Sequence, residues 1–133
     1  MIFHQKTKGI ARDTLRFLLE VSKSSYPNEF AGLLRAEEGV ITDIIVLPGT
    51  IASSSSAVMQ LHMKPPLSRC VGSAHSHPSS DMRPSKEDLM MFGRNGDYHI
   101  IAAYPYNENS WTCYDASGHV RNLPVLDVEF KEE

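Results

Sequence analysis

The sequence predicts a mixed α/β fold: a sheet of six or more strands with helices packed against it. Three observations carry that expectation. Short apolar runs recur along the chain, each bounded by Gly, Pro, Asn or Ser signals. Two segments instead carry helical features, one an apolar stripe and the other a capping pattern. Runs and helical segments are interleaved over 133 residues without an internal repeat or an interdomain linker, so residues 1–133 read as one domain with a single well-buried core.

Residues 2–8 are expected as a short edge strand or arm. From Ile10 to about Ser24, Ala11, Leu15, Leu18 and Ser22 recur at helical spacing, with Leu19 widening the stripe. Arg12, Asp13, Arg16, Glu20 and Lys23 fill the other face. Tyr26-Pro27 stops this helix, because the residue before a proline leaves the right-handed helical region. Glu29 to Leu34 is a short apolar strand, Glu37-Glu38-Gly39 a turn, and Val40 to Leu47 the hairpin partner. Pro48 to Ser56 is a loop whose serines, Ser53 to Ser56, form a polar tip. Ala57 to His62 is expected as an edge strand, and Cys70 to Ala74 as a buried one. A second helix opens at Pro84-Ser85 and runs to about Asn95, where Asn95-Gly96 offers a left-handed cap. Tyr98 to Tyr104 reads as a central strand, Trp111 to Tyr114 as the next, and His119 to Val128 as the last. The tail Lys131-Glu132-Glu133 is expected to fray.

Charge and composition exclude several classes. With 13 basic and 16 acidic residues the formal charge is −3, and no lysine or arginine run appears. A nucleic-acid binder would show a basic patch or stripe, so no nucleic-acid partner is expected. The first residues hold no apolar stretch long enough for a signal peptide. No run approaches the length that crosses a bilayer, so no membrane partner is expected. Cys70 and Cys113, the only cysteines, fall inside strands and suit reduced thiols of a cytoplasmic protein; a single bridge between them stays open.

Chemistry concentrates in Ala74-His75-Ser76-His77-Pro78, followed by Pro84-Ser85-Lys86-Glu87-Asp88. Side chains alternate along a strand, so His75 and His77 point the same way. Their Cβ atoms then stand roughly 6–7 Å apart, within reach of one ion. Pro78 ends the pairing, since it offers no N–H to a ladder. Asp88, in the first turn of the second helix, could return as a third ligand. Two imidazoles and a carboxylate, with a fourth position open to water, describe a catalytic zinc site rather than a structural one. The plain alternative is a capping box, with Ser85 as cap and Asp88 three residues on. A carboxylate also suits any first helical turn through the helix dipole. The cap alone does not explain two imidazoles aimed from the preceding strand end.

His75-Ser76-His77-Pro78, with Ser85 and Asp88 eight and eleven residues after His77, resembles the signature of the JAMM (MPN+) zinc metalloproteases. That family also requires a glutamate far upstream, and Pro27-Asn28-Glu29-Phe30-Ala31-Gly32-Leu33-Leu34 is similar to the segment carrying it. The order of elements agrees over nearly the whole chain, and the chain resembles the small stand-alone archaeal members. The resemblance implies the MPN fold, a cytidine-deaminase-like architecture, over residues 1–133. It implies one zinc ion per chain, ligated by His75, His77 and Asp88. Glu29 would be general base and acid, and Ser85 would stabilise the oxyanion. Relatives that cut ubiquitin chains carry insertions that grip the ubiquitin partner, whereas the connection from Pro48 to Arg69 is short here. A minimal isopeptidase acting on ubiquitin-like protein modifiers, or a processor of ubiquitin-like sulfur carriers, is therefore implied. Its partner would be a ubiquitin-like protein with an extended, glycine-ended tail, and Ala57 to His62 is the candidate edge for pairing with that tail.

Rival classes are weaker. A metal-free MPN scaffold mediating protein contacts would have lost ligands, yet all five positions are present. A zinc deaminase would carry a Cys-x-x-Cys, and none exists. A cysteine protease built on Cys70 or Cys113 with a histidine is compatible with the composition, but neither cysteine falls at a helix N-terminus, where its thiolate would be stabilised.

Overall fold

The computed structural model describes residues 6–46 and 70–128. In chain order these form β1 (Gly9–Ala11), α1 (Arg12–Ser25), β2 (Ala31–Glu37), β3 (Val40–Val46), β4 (Cys70–His77), α2 (Lys86–Phe92), β5 (Tyr98–Ala103), β6 (Trp111–Tyr114) and β7 (Val125–Leu126). The strands make one seven-stranded sheet in the order β6-β5-β4-β2-β3-β1-β7. β2 runs antiparallel to both β3 and β4, and β6 antiparallel to β5. The β4–β5, β1–β3 and β1–β7 pairs are parallel. The mixed sheet is the expected class.

Strand alternation sorts the core into two layers, one on each face of the sheet. Leu15, Leu18 and Leu19 of α1 pack with Phe30, Leu34, Ala74, Ile100 and Ala102. Ala31, Leu33 and Ile101 point the other way and meet Met91 and Phe92, at the end of α2. His75 pairs in register with Ala31 on one side and Ile101 on the other, so it shares the α2 face. Parity along β4 thus decides that both histidines face the second helix. β4 and β5 also approach closely: a Cβ on Gly72 would lie 1.4 Å from the Tyr98 carbonyl oxygen, so only glycine fits there.

Several bounds differ from expectation. α1 starts at Arg12, because Gly9, Ile10 and Ala11 are taken by pairing with β3 and β7. β2 runs on to Glu37, and β4 continues through both histidines to His77. α2 ends at Phe92 rather than Asn95. Gly96 does hold a positive φ of 98°, but beyond the helix, where a Cβ would strike the Val71 carbonyl. The long last strand shrinks to Val125–Leu126, with Val120 making a single bridge to Tyr114. Pro124 has no N–H to extend the ladder, while its carbonyl accepts from Ile10 N–H at 2.9 Å. The expected arm over 2–8 lies partly outside the described residues, and residues 6–8 are not strand. The serine tip at 53–56, the candidate edge at 57–62 and the tail at 131–133 also lie outside them. Both cysteines are free thiols, and burial pushes the Cys113 thiol up to about 11. Among the described residues no helix is long and apolar enough to cross a membrane.

Candidate metal centre

His75 is buried at the end of β4, and His77, two residues on, is partly exposed. Asp88 arrives from α2, where the expected capping box is present. Ser85 Oγ accepts from Asp88 N–H at 3.1 Å, and Asp88 Oδ2 accepts from Ser85 N–H at 2.8 Å. The capping reading and the ligand reading are therefore compatible. The cap orients the carboxylate, and its remaining lone pairs face the imidazoles. His75 Nε2 lies 3.1 Å from Asp88 Oδ1, His77 Nε2 3.3 Å from Asp88 Oδ2, and the two Nε2 atoms 3.2 Å apart.

These atoms fit a metal ion better than one another. His77 Nδ1 lies 2.8 Å from the Asp81 carbonyl, which only accepts, so Nδ1 carries the proton. In the neutral ring, Nε2 then presents a lone pair to the cluster. Asp88 Oδ1 is buried and receives no well-aligned hydrogen bond, although His75 is close. Ligand atoms held 2.0–2.1 Å from a tetrahedral ion stand about 3.3 Å apart, close to the spacings found here. The donor set, two imidazole nitrogens and a carboxylate oxygen, is that of an open zinc site.

Electrostatics agree. Burial alone would raise the Asp88 pKa, but the neighbouring His75 and His77 rings and the Ser85 backbone N–H hold it far below the usual carboxylate range. Burial pulls His77 down, yet the Asp88 and Asp81 oxygens outweigh it and the net shift is upward, with Glu29 adding to it. The carboxylate is thus anionic at neutral pH.

Glu29 lies just before β2 and is buried to 5% exposure. It lines an open groove of about 500 Å³ with His77, Ser79, Arg83 and Ser85. Its place is fixed through its neighbour: Phe30 N–H donates to Ser76 Oγ at 3.0 Å, and Ser76 N–H donates to the Phe30 carbonyl at 3.1 Å. The residue between the two histidines therefore docks the segment carrying Glu29. All five residues singled out in the sequence, Glu29, His75, His77, Ser85 and Asp88, meet at one end of β4. Glu37, at the end of β2, and Glu38, in the hairpin turn, lie away from this end of β4. The Asp81 carbonyl and the Ser76 hydroxyl escaped sequence reasoning, because a backbone oxygen and a serine carry no signal of their own.

Fold and centre together define a class: a hydrolase whose open metal site faces a groove beside a buried carboxylate. The family model described as prokaryotic homologs of the JAB domain matches residues 11–114. A probable metalloprotease of Haloferax volcanii is 42% identical over 134 residues, covering 93% of this chain and 83% of that protein. A JAB1/MPN domain protein from Archaeoglobus fulgidus superposes with a TM-score of 0.74 at 41% identity, covering 90% of this chain and 99% of that one. A structure described as JAMM, a metalloprotease-like zinc site in the proteasome and signalosome, superposes at 0.72 with 40% identity, covering 93% and 100%. The chain belongs to this JAMM family of JAB1/MPN domain proteins, in its prokaryotic form, and is a hydrolase of the metalloprotease kind.

Proposed function

We propose that the chain is a zinc-dependent isopeptidase or peptidase that cuts the bond after the C-terminal tail of ubiquitin-like protein modifiers or sulfur carriers. The observation that carries this reading is the buried Glu29 at the groove, beside three converging metal-ligand atoms. One zinc ion, the metal of the similar JAMM structure, is held by His75, His77 and Asp88. Bound there, zinc supplies Lewis acidity, which lowers the pKa of a water to about 7 and polarises a carbonyl.

The chain's own residues supply the rest. Glu29 takes the proton of the attacking water and returns it to the departing amine. Without that second transfer a lysine amine, whose pKa is about 10.4, leaves poorly. Ser85 Oγ accepts from Asp88 N–H, and a hydroxyl that accepts still has its own proton to donate. It donates toward the carbonyl oxygen as negative charge develops there. The groove is open rather than a closed pocket, which suits an extended tail.

The test is cleavage of a fusion between a ubiquitin-like protein and a reporter. Wild type should cut after the final glycine, lose activity to a chelator and regain it with added zinc. A protein loaded with zinc that cuts no ubiquitin-like fusion, while cutting unrelated extended peptides, would remove the substrate assignment.

A further inference from the structure

His77 is the ligand most in need of support. It is the last residue of β4, partly exposed, and followed by Pro78, which cannot continue the ladder. Ser76 N–H points to β2, where Phe30 receives it, so alternation turns the His77 backbone toward β5. The ladder with β5 ends where His77 pairs in register with Ala103. The next donor along β5, Tyr104 N–H, goes instead to the Ser79 carbonyl at 3.0 Å. That leaves the His77 carbonyl to another group, and the Tyr106 phenol fills the place, donating to it at 2.8 Å.

Tyr106 is held for this task in several ways. Its backbone has a φ of 63°, a region that a bulky aromatic residue seldom adopts. Such a conformation persists only where its surroundings fix it. The Tyr106 N–H closes a turn onto the Ala103 carbonyl at 2.8 Å. The ring is buried in the core layer on the α1 face, opposite the metal centre. It meets Tyr26 and Tyr104 edge-on at 6.2 and 6.0 Å. The phenol thus reaches from the core beneath the sheet to the strand end that carries the ligand.

We propose that Tyr106 is a positioning residue for His77. It holds the backbone end of the histidine, while the Asp81 carbonyl holds the ring at Nδ1. With both ends fixed, Nε2 keeps its place beside Asp88 and His75. The proposal rests on the metal half of the functional reading alone, and needs no particular substrate.

The test is Tyr106→Phe, which keeps the ring in the core and removes only the hydroxyl. Tyr98→Phe serves as control, because Tyr98 belongs to the same layer and its hydroxyl also reaches a backbone carbonyl, that of Thr7. Zinc affinity is measured by competition with a chromogenic chelator. The ligand field is read from the visible spectrum of the cobalt-substituted protein. Tyr106→Phe should bind zinc about 10-fold to 100-fold more weakly, the usual effect of losing a group that orients a ligand, and its cobalt bands should shift. Tyr98→Phe should match wild type in both. Wild-type zinc affinity and an unshifted cobalt spectrum in Tyr106→Phe would overturn the proposal, as would an equal loss in Tyr98→Phe. If no substrate is ever found, both readouts still stand.

Discussion

Ser85→Ala separates structure from chemistry at a single atom. Ser85 Oγ is the cap acceptor for Asp88 N–H, and losing such a cap costs about 1 kcal/mol. For a domain of this size that lowers the unfolding midpoint by about 4 °C. The other half of the box survives, because Asp88 Oδ2 accepts from the Ser85 backbone N–H, which alanine retains. The carboxylate should therefore stay in place and zinc should remain bound. Loss of a hydrogen bond to the developing oxyanion is a different quantity, about 10²–10³ in turnover. Thermal unfolding, zinc content and turnover on the same preparation resolve the two. The expected result is a small loss of stability, full zinc and a turnover reduced at least 100-fold. Wild-type turnover in a zinc-loaded, slightly destabilised variant would leave Ser85 as a cap and nothing more.

Glu29→Gln should fold and bind zinc, while turnover falls at least about 10²-fold because an amide cannot carry the proton; near-normal cleavage would redirect the search to another carboxylate. Asp88→Asn should keep the helix but lose zinc affinity in chelator competition, and full zinc occupancy would make Asp88 a cap only. A chelator should leave a cooperative unfolding transition, because both core layers form without the ligands; its disappearance would mean a structural metal. His99 is buried and its pKa is pushed down to about 4, chiefly by burial. Between about pH 6.5 and pH 4 the unfolded chain takes up the proton first, so stability should fall as pH falls, by an amount of order 3 kcal/mol. His77, with its raised pKa, acts in the opposite sense. The measurement is therefore the difference in denaturant midpoint between wild type and His99→Gln across that window, and parallel profiles would contradict it.

What the sequence revealed of this site is what lies close together along the chain. His75 and His77 are two residues apart, and Ser85 and Asp88 three, so strand parity and helix capping orient each pair locally. What it hid is held by contacts between distant residues. Tyr106 reaches the His77 carbonyl across 29 positions, and Phe30 meets Ser76 across 46. No periodicity marks a tyrosine as partner of one particular backbone oxygen. The misjudged ends have a similar cause. Asn95-Gly96 reads locally as a helix stop, but Asn95 Nδ2 donates to the Met91 carbonyl from beyond the helix. Gly96 serves the close approach to β4 instead. Pairing of Gly9, Ile10 and Ala11 with strands far along the chain shortened α1 in the same way, since tertiary hydrogen bonds override local helical spacing.

Ser76 shows why the motif works as one unit. It sits between the two histidines, so its side chain points to the face opposite theirs, where alternation leaves it free of the metal. There both its hydroxyl and its N–H bond the backbone of Phe30, the residue after Glu29. The histidine pair and the carboxylate are thus registered to each other by two hydrogen bonds through one buried residue. In the proposed reaction Glu29 must stand within hydrogen-bond reach of the proton it takes, so an error of an ångström at β2 would be felt in that chemistry. The pair of hydrogen bonds at Ser76 confines that error without placing any further group in the groove. The central serine of His75-Ser76-His77 therefore belongs to the placement of Glu29 as much as the flanking residues belong to the metal.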